Sequence, residues 1–360
     1  MSTVRNEDKS WKKNESSVHR SLLSPPPLVL KAGRYFPTLI LTGLAVNLIL
    51  PQLASVEASA HVIKTMVPWA VLLAALGQGI SYLGAGYLIN SIVARVNQTI
   101  PILKGVIITL AASSIGMLAG GPFGNAAATY QWVRKYGVNA EGAGLAGTLP
   151  TIFNNTILTA LAVAGILHLL IAHRLSSVQF FAFILILTLL CLGFAVIHWG
   201  LKNRAGLTLI IVRITAYFAR LLHKSYTPAP TQASVSRIFA ALETLSNGGW
   251  QRPLLGAVIF TSCDMLTLYF FFIAAGFPVG LEILVVGYGL PILLGKIAFL
   301  LPGGIGVVES TMAALYTGLG VPGSIAVVVV LSYRVFSFWI PTLLGFPIAF
   351  YLQRAGSYNK

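Results

Sequence analysis

The sequence predicts an all-α polytopic membrane protein of about eight transmembrane helices, with two glycine- and proline-broken, re-entrant segments in a pseudo-repeat. Three observations carry this. Of 360 residues, 56% are hydrophobic and 9% charged, with a mean hydropathy of +0.82, which leaves too little charge to clothe a soluble domain of this size. The apolar residues fall in runs of about 20, the length that crosses a bilayer core as helix, whereas a transmembrane barrel would show segments of about 10 residues with alternating polarity. Two runs end in glycine-proline clusters where continuous helix is disfavoured, because proline lacks an amide proton and glycine tolerates angles closed to other residues.

The formal net charge of +15 points to lipid rather than nucleic acid. Lys and Arg cluster at the ends of apolar runs, where positive charge marks cytoplasmic loops and meets anionic headgroups. Membrane lipids, anionic ones above all, are the expected partners, and nucleic acid is not. Cys191 and Cys263 lie inside apolar runs, so neither a disulfide framework nor a metal site is indicated. No cofactor is expected.

Residues 1–34 carry seven basic residues against three acids and the triplet Pro25-Pro26-Pro27. Such a segment cannot bury enough apolar surface to fold and reads as a disordered cytoplasmic tail. A single transmembrane domain follows over 35–352, with 353–360 as a short tail. Its first run covers about Tyr35 to Ala54. Ala58-Ser59-Ala60 resembles a signal-peptidase site, but the charged region before it is too long and the apolar run spans fully. The second run, about Met66 to Val93, is dotted with Gly77, Gly79, Ser81, Gly84 and Gly86. Small residues let helix backbones approach closely in lipid, so this helix is expected at the centre.

A third run, about Ile102 to Ala119, leads into the first break, Gly120-Gly121-Pro122-Phe123-Gly124-Asn125. Runs at about Ala140 to Ala172, with Pro150 and Asn154-Asn155 inside it, and Val178 to Trp199 follow. Residues 200–252 hold seven basic residues against Glu243 alone, as expected of an interfacial linker on an anionic surface. Runs at about Pro253 to Ala275 and Leu281 to Leu300 precede the second break, Leu301 to Ser310. A last run covers about Val321 to Leu352. Eight simple spans with the amino terminus inside would put the basic linker outside, against the positive-inside rule. Either the first break crosses with its neighbour or one span is misassigned.

The two breaks match at one interval. Gly121 and Gly304 are each followed sixteen residues later by a Gly-Val pair, Gly137-Val138 and Gly320-Val321. An offset of 183 residues aligns them, giving repeats of about 100–199 and 281–352. Discontinuous helices in corresponding positions of internal repeats point to a transporter's binding site. At this offset Lys296, Glu309 and Arg334 correspond to Ser113, Ala126 and Thr151, so the second half alone is charged.

Intramembrane charge must find a partner or water. Glu309 with Arg334, and Asp264 with Lys296, are the expected pairs. Gly303, Gly304 and Gly306 with Gly120 and Gly121 form the breaks. If these are re-entrant, amides near Val307 and Asn125 could face an anionic headgroup, with Asn154 and Asn155 donating beside them or serving between helices. The competing readings are that the glycines only pack helices, the acids only lock them together, and Lys296 snorkels to the interface. No catalytic motif is found: Gly289 to Lys296 lacks the spacing of a phosphate loop, no nucleophile with a base can be named, and the histidines are scattered.

Leu301-Pro-Gly-Gly-Ile-Gly-Val-Val-Glu309, followed by Gly320-Val321-Pro322, Leu331-Ser-Tyr-Arg334, Trp339-Ile-Pro341 and Gly345, resembles the signature of the lysylphosphatidylglycerol synthase transmembrane region, a flippase-like family. Gly120 to Gly124 with Tyr130 and Gly137-Val138 resembles its first-half motif, without the arginine or Gly-Glu pair often found there. The resemblance implies translocation of an anionic, modified or polyprenyl-linked lipid between leaflets of the plasma membrane, the bacterial inner membrane. The substrate-binding candidates are the residues of the breaks with Glu309, Arg334, Asn125 and Asn154. About eight residues follow the last run, so aminoacyl transfer within this chain is not expected. The alternatives are a non-transporting partner of a lipid-modifying or glycosyl-transferring enzyme and a small-molecule secondary transporter. Nothing in the sequence decides the oligomeric state.

Overall fold

The computed structural model describes residues 56–118, 121–171, 202–221, 249–297 and 302–355, with scattered positions between 184 and 239. The tail at 1–34, the run at 35–54, most of the run at 178–199, and Gly120 lie outside the described residues. Among the described residues the chain is helical without strands: α1 (Val56–Thr65), α2 (Pro68–Val93), α3 (Ile102–Leu118), α4 (Pro122–Lys135), α5 (Ala140–Ile171), α6 (Arg204–Leu221), α7 (Gln251–Ala274), α8 (Leu281–Ile297), α9 (Val307–Gly318), α10 (Gly323–Arg334) and α11 (Ile340–Ala355). A π-helical turn, Val335–Trp339, joins α10 to α11.

Among the described residues four stretches are long and apolar enough to cross a membrane: Pro68–Val96, Ala140–Ile171, Gln251–Ala274 and Gly323–Arg354. The described parts of the runs expected at 102–119 and 281–300 form α3 and α8, each of 17 residues. Each folds against a shorter successor, of 14 residues in α4 and 12 in α9. Each pair is a hairpin bent at glycine. Gly116 packs so tightly on the first bend that an added Cβ would sit 2.9 Å from the Gly121 carbonyl oxygen, and Gly304 would place one 2.8 Å from the Gly295 Cα.

The 183-residue interval governs the backbone. Gly121 and Gly304 have φ of 61° and 65°, and Gly137 and Gly320 have 86° and 93°. All four occupy the left-handed region that glycine enters without steric cost. The starts of α5 and α10, Ala140 and Gly323, keep the same interval, and so do the starts of α2 and α7, Pro68 and Gln251. The register therefore extends one helix further back than the 100–199 and 281–352 halves expected from the breaks.

Contacts across the halves are reciprocal. The α2–α7 pair is the most extensive among the described helices. An added Cβ on Gly77 would lie 3.2 Å from Thr267 Oγ1 and one on Gly84 would lie 2.6 Å from the Phe260 N; Gly77 with Phe260, and Gly84 with Thr267, are themselves register-matched. Likewise α3 packs on α11 while α8 packs on α5. Exchange of i–j for j–i is what a two-fold relation between halves produces. Helix α2, which also packs on α3 and α5, stands at the centre, as its small residues predict.

Candidate functional site

The second bend is built backbone first. Pro302–Gly304 makes one 3-10 turn, Gly303 departs from helical angles, and Gly306, at φ 84°, starts α9. Glu309 is the third residue of α9, and its Oε2 accepts the Gly306 N–H at 2.7 Å, satisfying one of the amides a helix start leaves open. Its Oε1 accepts from Arg334 Nε at 2.6 Å. Arg334 Nη2 donates to the Gly303 carbonyl at 3.1 Å, and the guanidinium lies 4.3 Å from the Phe338 ring centroid. Both residues are buried, 6% and 7% exposed. Glu309 and Arg334 thus tie the bend to α10 where it passes into its π turn, a departure from α geometry that recurs at functional sites.

At the α9 terminus the Gly306 amide is thus taken by a carboxylate of the protein itself. In the first bend Gly121 precedes Pro122, the first residue of α4, and accepts the Asn125 N–H at 3.0 Å. Asn125 Oδ1 accepts from Thr129 at 3.3 Å. Among the described residues no charged group takes part at this bend.

A cavity of about 270 Å³ opens between the two halves. Thr109, Ser113, Asn125, Thr129, Thr151 and Asn154 supply polar groups on its first-half side. Thr261, Asp264, Tyr288, Lys296, Tyr333, Arg334 and Ser337 supply those on the other. Five register-matched pairs line it together: Thr109 with Ile292, Ser113 with Lys296, Pro150 with Tyr333, Thr151 with Arg334, and Asn154 with Ser337. Of the residues singled out from sequence, Asn125, Asn154, Asp264, Lys296 and Arg334 meet here. Glu309, Gly121, Gly303, Gly304 and Gly306 shape the bends behind it and do not line it.

Asp264 and Lys296 are not bonded to each other. Asp264 Oδ2 accepts two tyrosine hydroxyls, Tyr288 at 2.7 Å and Tyr333 at 2.6 Å. Lys296 Nζ donates to Asn155 Oδ1 at 2.8 Å. Two phenols solvate the buried carboxylate without a cation, so the lysine is left to reach across to the first half. Charge alone, sought in the apolar runs, does not point to these tyrosines. The available signal was a phenol flanked by glycines, Gly287-Tyr288-Gly289, and another beside Arg334, since a buried tyrosine hydroxyl usually finds a partner.

Comparison with known proteins adds the following. The model of the family described as lysylphosphatidylglycerol synthase TM region matches residues 40–345. A UPF0104 membrane protein of Pyrococcus horikoshii is 39% identical over 93 residues, 26% of this chain and 27% of the relative. One from Methanothermobacter thermautotrophicus is 39% identical over 82 residues, 23% and 24% of the two chains. Another, from Methanocaldococcus jannaschii, is 22% identical over 166 residues, 44% and 48%. The chain thus matches a quarter to a half of the length of these relatives.

Proposed function

The chain belongs to the lysylphosphatidylglycerol synthase transmembrane region family of integral membrane proteins, and from that premise we propose that it is a lipid translocase. On this reading it is a transporter, not an enzyme, and carries an anionic, modified or polyprenyl-linked lipid headgroup between leaflets of the plasma membrane, its amino terminus cytoplasmic. The observation that carries the reading is the cavity walled by both halves, with Lys296 and Arg334 among its lining. A headgroup crossing hydrocarbon needs polar surroundings at membrane depth, and ionisable groups placed there default to a substrate path. The volume, about 270 Å³, lies just under the range of about 300–1,000 Å³ that holds drug-sized ligands. It suits a headgroup with its chains outside.

The test is leaflet exchange of fluorescent phosphatidylglycerol in proteoliposomes, read by quenching of the outer leaflet. Protein-dependent exchange is expected, and Lys296→Met should slow it about ten-fold or more, the worth of a charge-assisted hydrogen bond. Lys296 is the better probe than Arg334, because its removal strands no buried carboxylate. Exchange equal to that of empty vesicles across a panel of headgroups would overturn the proposal.

One surface favours the second reading, docking of a lipid-modifying enzyme. Helix α6 exposes Arg213 and Arg220 beside Leu209 and Ile214. That reading expects co-purification with the enzyme, lost in an Arg213→Glu, Arg220→Glu double variant.

A further inference from the structure

Asp264 is the part of the cavity that binding an anion leaves unused. It is 8% exposed, sits on the long apolar α7 and lines the cavity, and its two hydroxyl donors are the neutral phenols of Tyr288 and Tyr333. A carboxylate held at membrane depth without a bonded cation is costly, and acids kept there mark ion paths and proton relays. At the matched position the first half has Ser81, whose hydroxyl donates to the Phe260 carbonyl at 2.8 Å. The repeat therefore supplies this carboxyl once.

The local geometry suits a proton. Both phenols donate to Oδ2, which leaves Oδ1 as the seat for one. Gln78, 6% exposed, faces the carboxyl from α2, and its Oε1 is buried without a hydrogen-bond partner among the described residues. A proton on Oδ1 supplies the donor that this oxygen lacks. A side-chain amide carries donors at one end and an acceptor at the other in nearly the same shape, so Gln78 can serve both forms: Nε2 donates to the carboxylate, Oε1 accepts from the acid. A hard metal cation asks instead for a shell of about six or more oxygens, and here two O–H groups already point at Oδ2.

The proton also changes what the cavity attracts. The groups that face Asp264 from the helices packed on α7 are Tyr82 of α2, Tyr288 and Lys296 of α8, and Tyr333 and Arg334 of α10, with Cys263 beside it on α7 itself. Helix α5 brings only the neutral Thr151 and Asn154 to the polar lining. Glu309 answers Arg334 from behind the wall, so the balance rests on Lys296 against Asp264. With the carboxylate ionised these two cancel; with it protonated the Lys296 charge is left for an anion. Proton and anion thus favour each other's binding, and by linkage the effect is mutual.

We infer that Asp264 is a proton-binding site linked to the anion in the cavity. One H⁺ from the aqueous phase turns the carboxylate into the acid, the anion settles beside Lys296, and both leave together with no electron transferred. Joined to the translocase reading, on which its transport part rests, this makes the protein a proton–anion symporter.

The test begins with the purified full chain free of ligand. Infrared difference spectra between alkaline and mildly acidic buffer should show a carboxylic-acid C=O band that Asp264→Asn removes. In Gln78→Leu the band should move to higher frequency, because the acid loses its acceptor; this variant keeps the site measurable if Asp264→Asn fails to fold. Phosphatidylglycerol, whose own charge is constant over this range, should bind about five-fold or more tightly on acidification, the low end of coupling between two sites. Asp264→Asn should lose that dependence, whereas a merely structural role would weaken binding at every pH and keep it. In proteoliposomes an imposed pH gradient should drive phosphatidylglycerol exchange until a protonophore collapses it. A band that neither variant alters, binding indifferent to pH, a pH dependence surviving in Asp264→Asn, or a sodium gradient replacing the proton gradient would each overturn the inference. The band and pH-dependent binding without leaflet exchange would uphold the proton site and sink translocation. Exchange indifferent to pH would do the reverse.

Discussion

The first and second hairpins share a backbone and differ in how they are fastened. Each bends at a left-handed glycine, Gly121 or Gly304, and each closes its second arm at another, Gly137 or Gly320. The first bend is held by neutral contacts: the Gly121 N–H donates to the Gly116 carbonyl at 2.7 Å, with Asn125 beside it. The second is held by a buried ion pair under an aromatic ring, with Ala126, Thr151 and Asn155 standing in the first half where Glu309, Arg334 and Phe338 stand in the second. The surrounding cores diverge likewise. Around α9 and α10 aromatic rings pack in series, Phe272 on Tyr316 at 4.8 Å and Phe271 on Phe336 at 5.2 Å, while the core around α3 and α4 is mainly aliphatic. What a repeat holds to is the set of backbone angles its bends demand, and side-chain chemistry is free to differ around them.

The comparison breaks first at the ion pair. Glu309→Gln leaves the Arg334 guanidinium buried without its counter-charge, and losing one partner of a buried pair costs about 3–5 kcal/mol. Thermal unfolding in detergent should show it, whereas Ala126→Gln at the matched position should shift stability far less. Part of the loss should return when Arg334→Leu is added to Glu309→Gln. A single variant as stable as the parent would mean the second bend is fastened as the first is, by packing alone.

The bends themselves should respond unequally to the same change. Gly121→Ala has open space around its new methyl, so its cost is the left-handed backbone, about 1–2 kcal/mol. Gly304→Ala pays that and also meets the Gly295 Cα at 2.8 Å, and overpacking adds about 1–3 kcal/mol. Equal losses would show that the second hairpin is the looser one. Between these two in size is the loss of one phenol. Tyr333→Phe removes one of the two hydroxyls on Asp264, and a hydrogen bond to a charged group contributes about 1.5–3 kcal/mol. Its matched residue, Pro150, has no hydroxyl to lose, so the Tyr333→Phe loss measures what the second half added to the shared plan.

Much of this plan could be read from residues alone, and for definite reasons. Glycine and proline restrict the backbone wherever they stand, so the spacing of Gly121, Gly137, Gly304 and Gly320 revealed two matched bends without any knowledge of contacts. An acid and a base within broken apolar runs need partners, which brought Glu309 to Arg334. Asp264 resisted the same logic because its partners are neutral. Nothing in a charge count singles out Tyr288 and Tyr333, and Lys296 turned instead to Asn155 on another helix. Thr109 and Ser113 were hidden for a related reason: a hydroxyl bonded to its own helix looks in sequence like any small packing residue. The start of the repeat at α2 was obscured because Pro68 and Gln251 share neither side-chain chemistry nor a motif, only a position.

The finest test of shared backbone against divergent chemistry lies at the ends of the second arms. Gly137 and Gly320 have φ of 86° and 93°, with nothing within 4 Å of an added Cβ at either. Their N–H groups donate to the Arg134 and Thr317 carbonyls at 3.0 and 3.1 Å, closing α4 and α9 in the same way. Side-chain surroundings therefore drop out, and only the left-handed angle remains to be charged, about 1–2 kcal/mol for alanine at either site. Gly137→Ala and Gly320→Ala should lower the thermal midpoint by equal amounts, and Asn at either position, which tolerates this region better, should lower it less. Unequal losses would mean that the 183-residue register aligns these two glycines in sequence without giving them the same structural duty, and the two-fold reading of the halves would then hold for the bends alone.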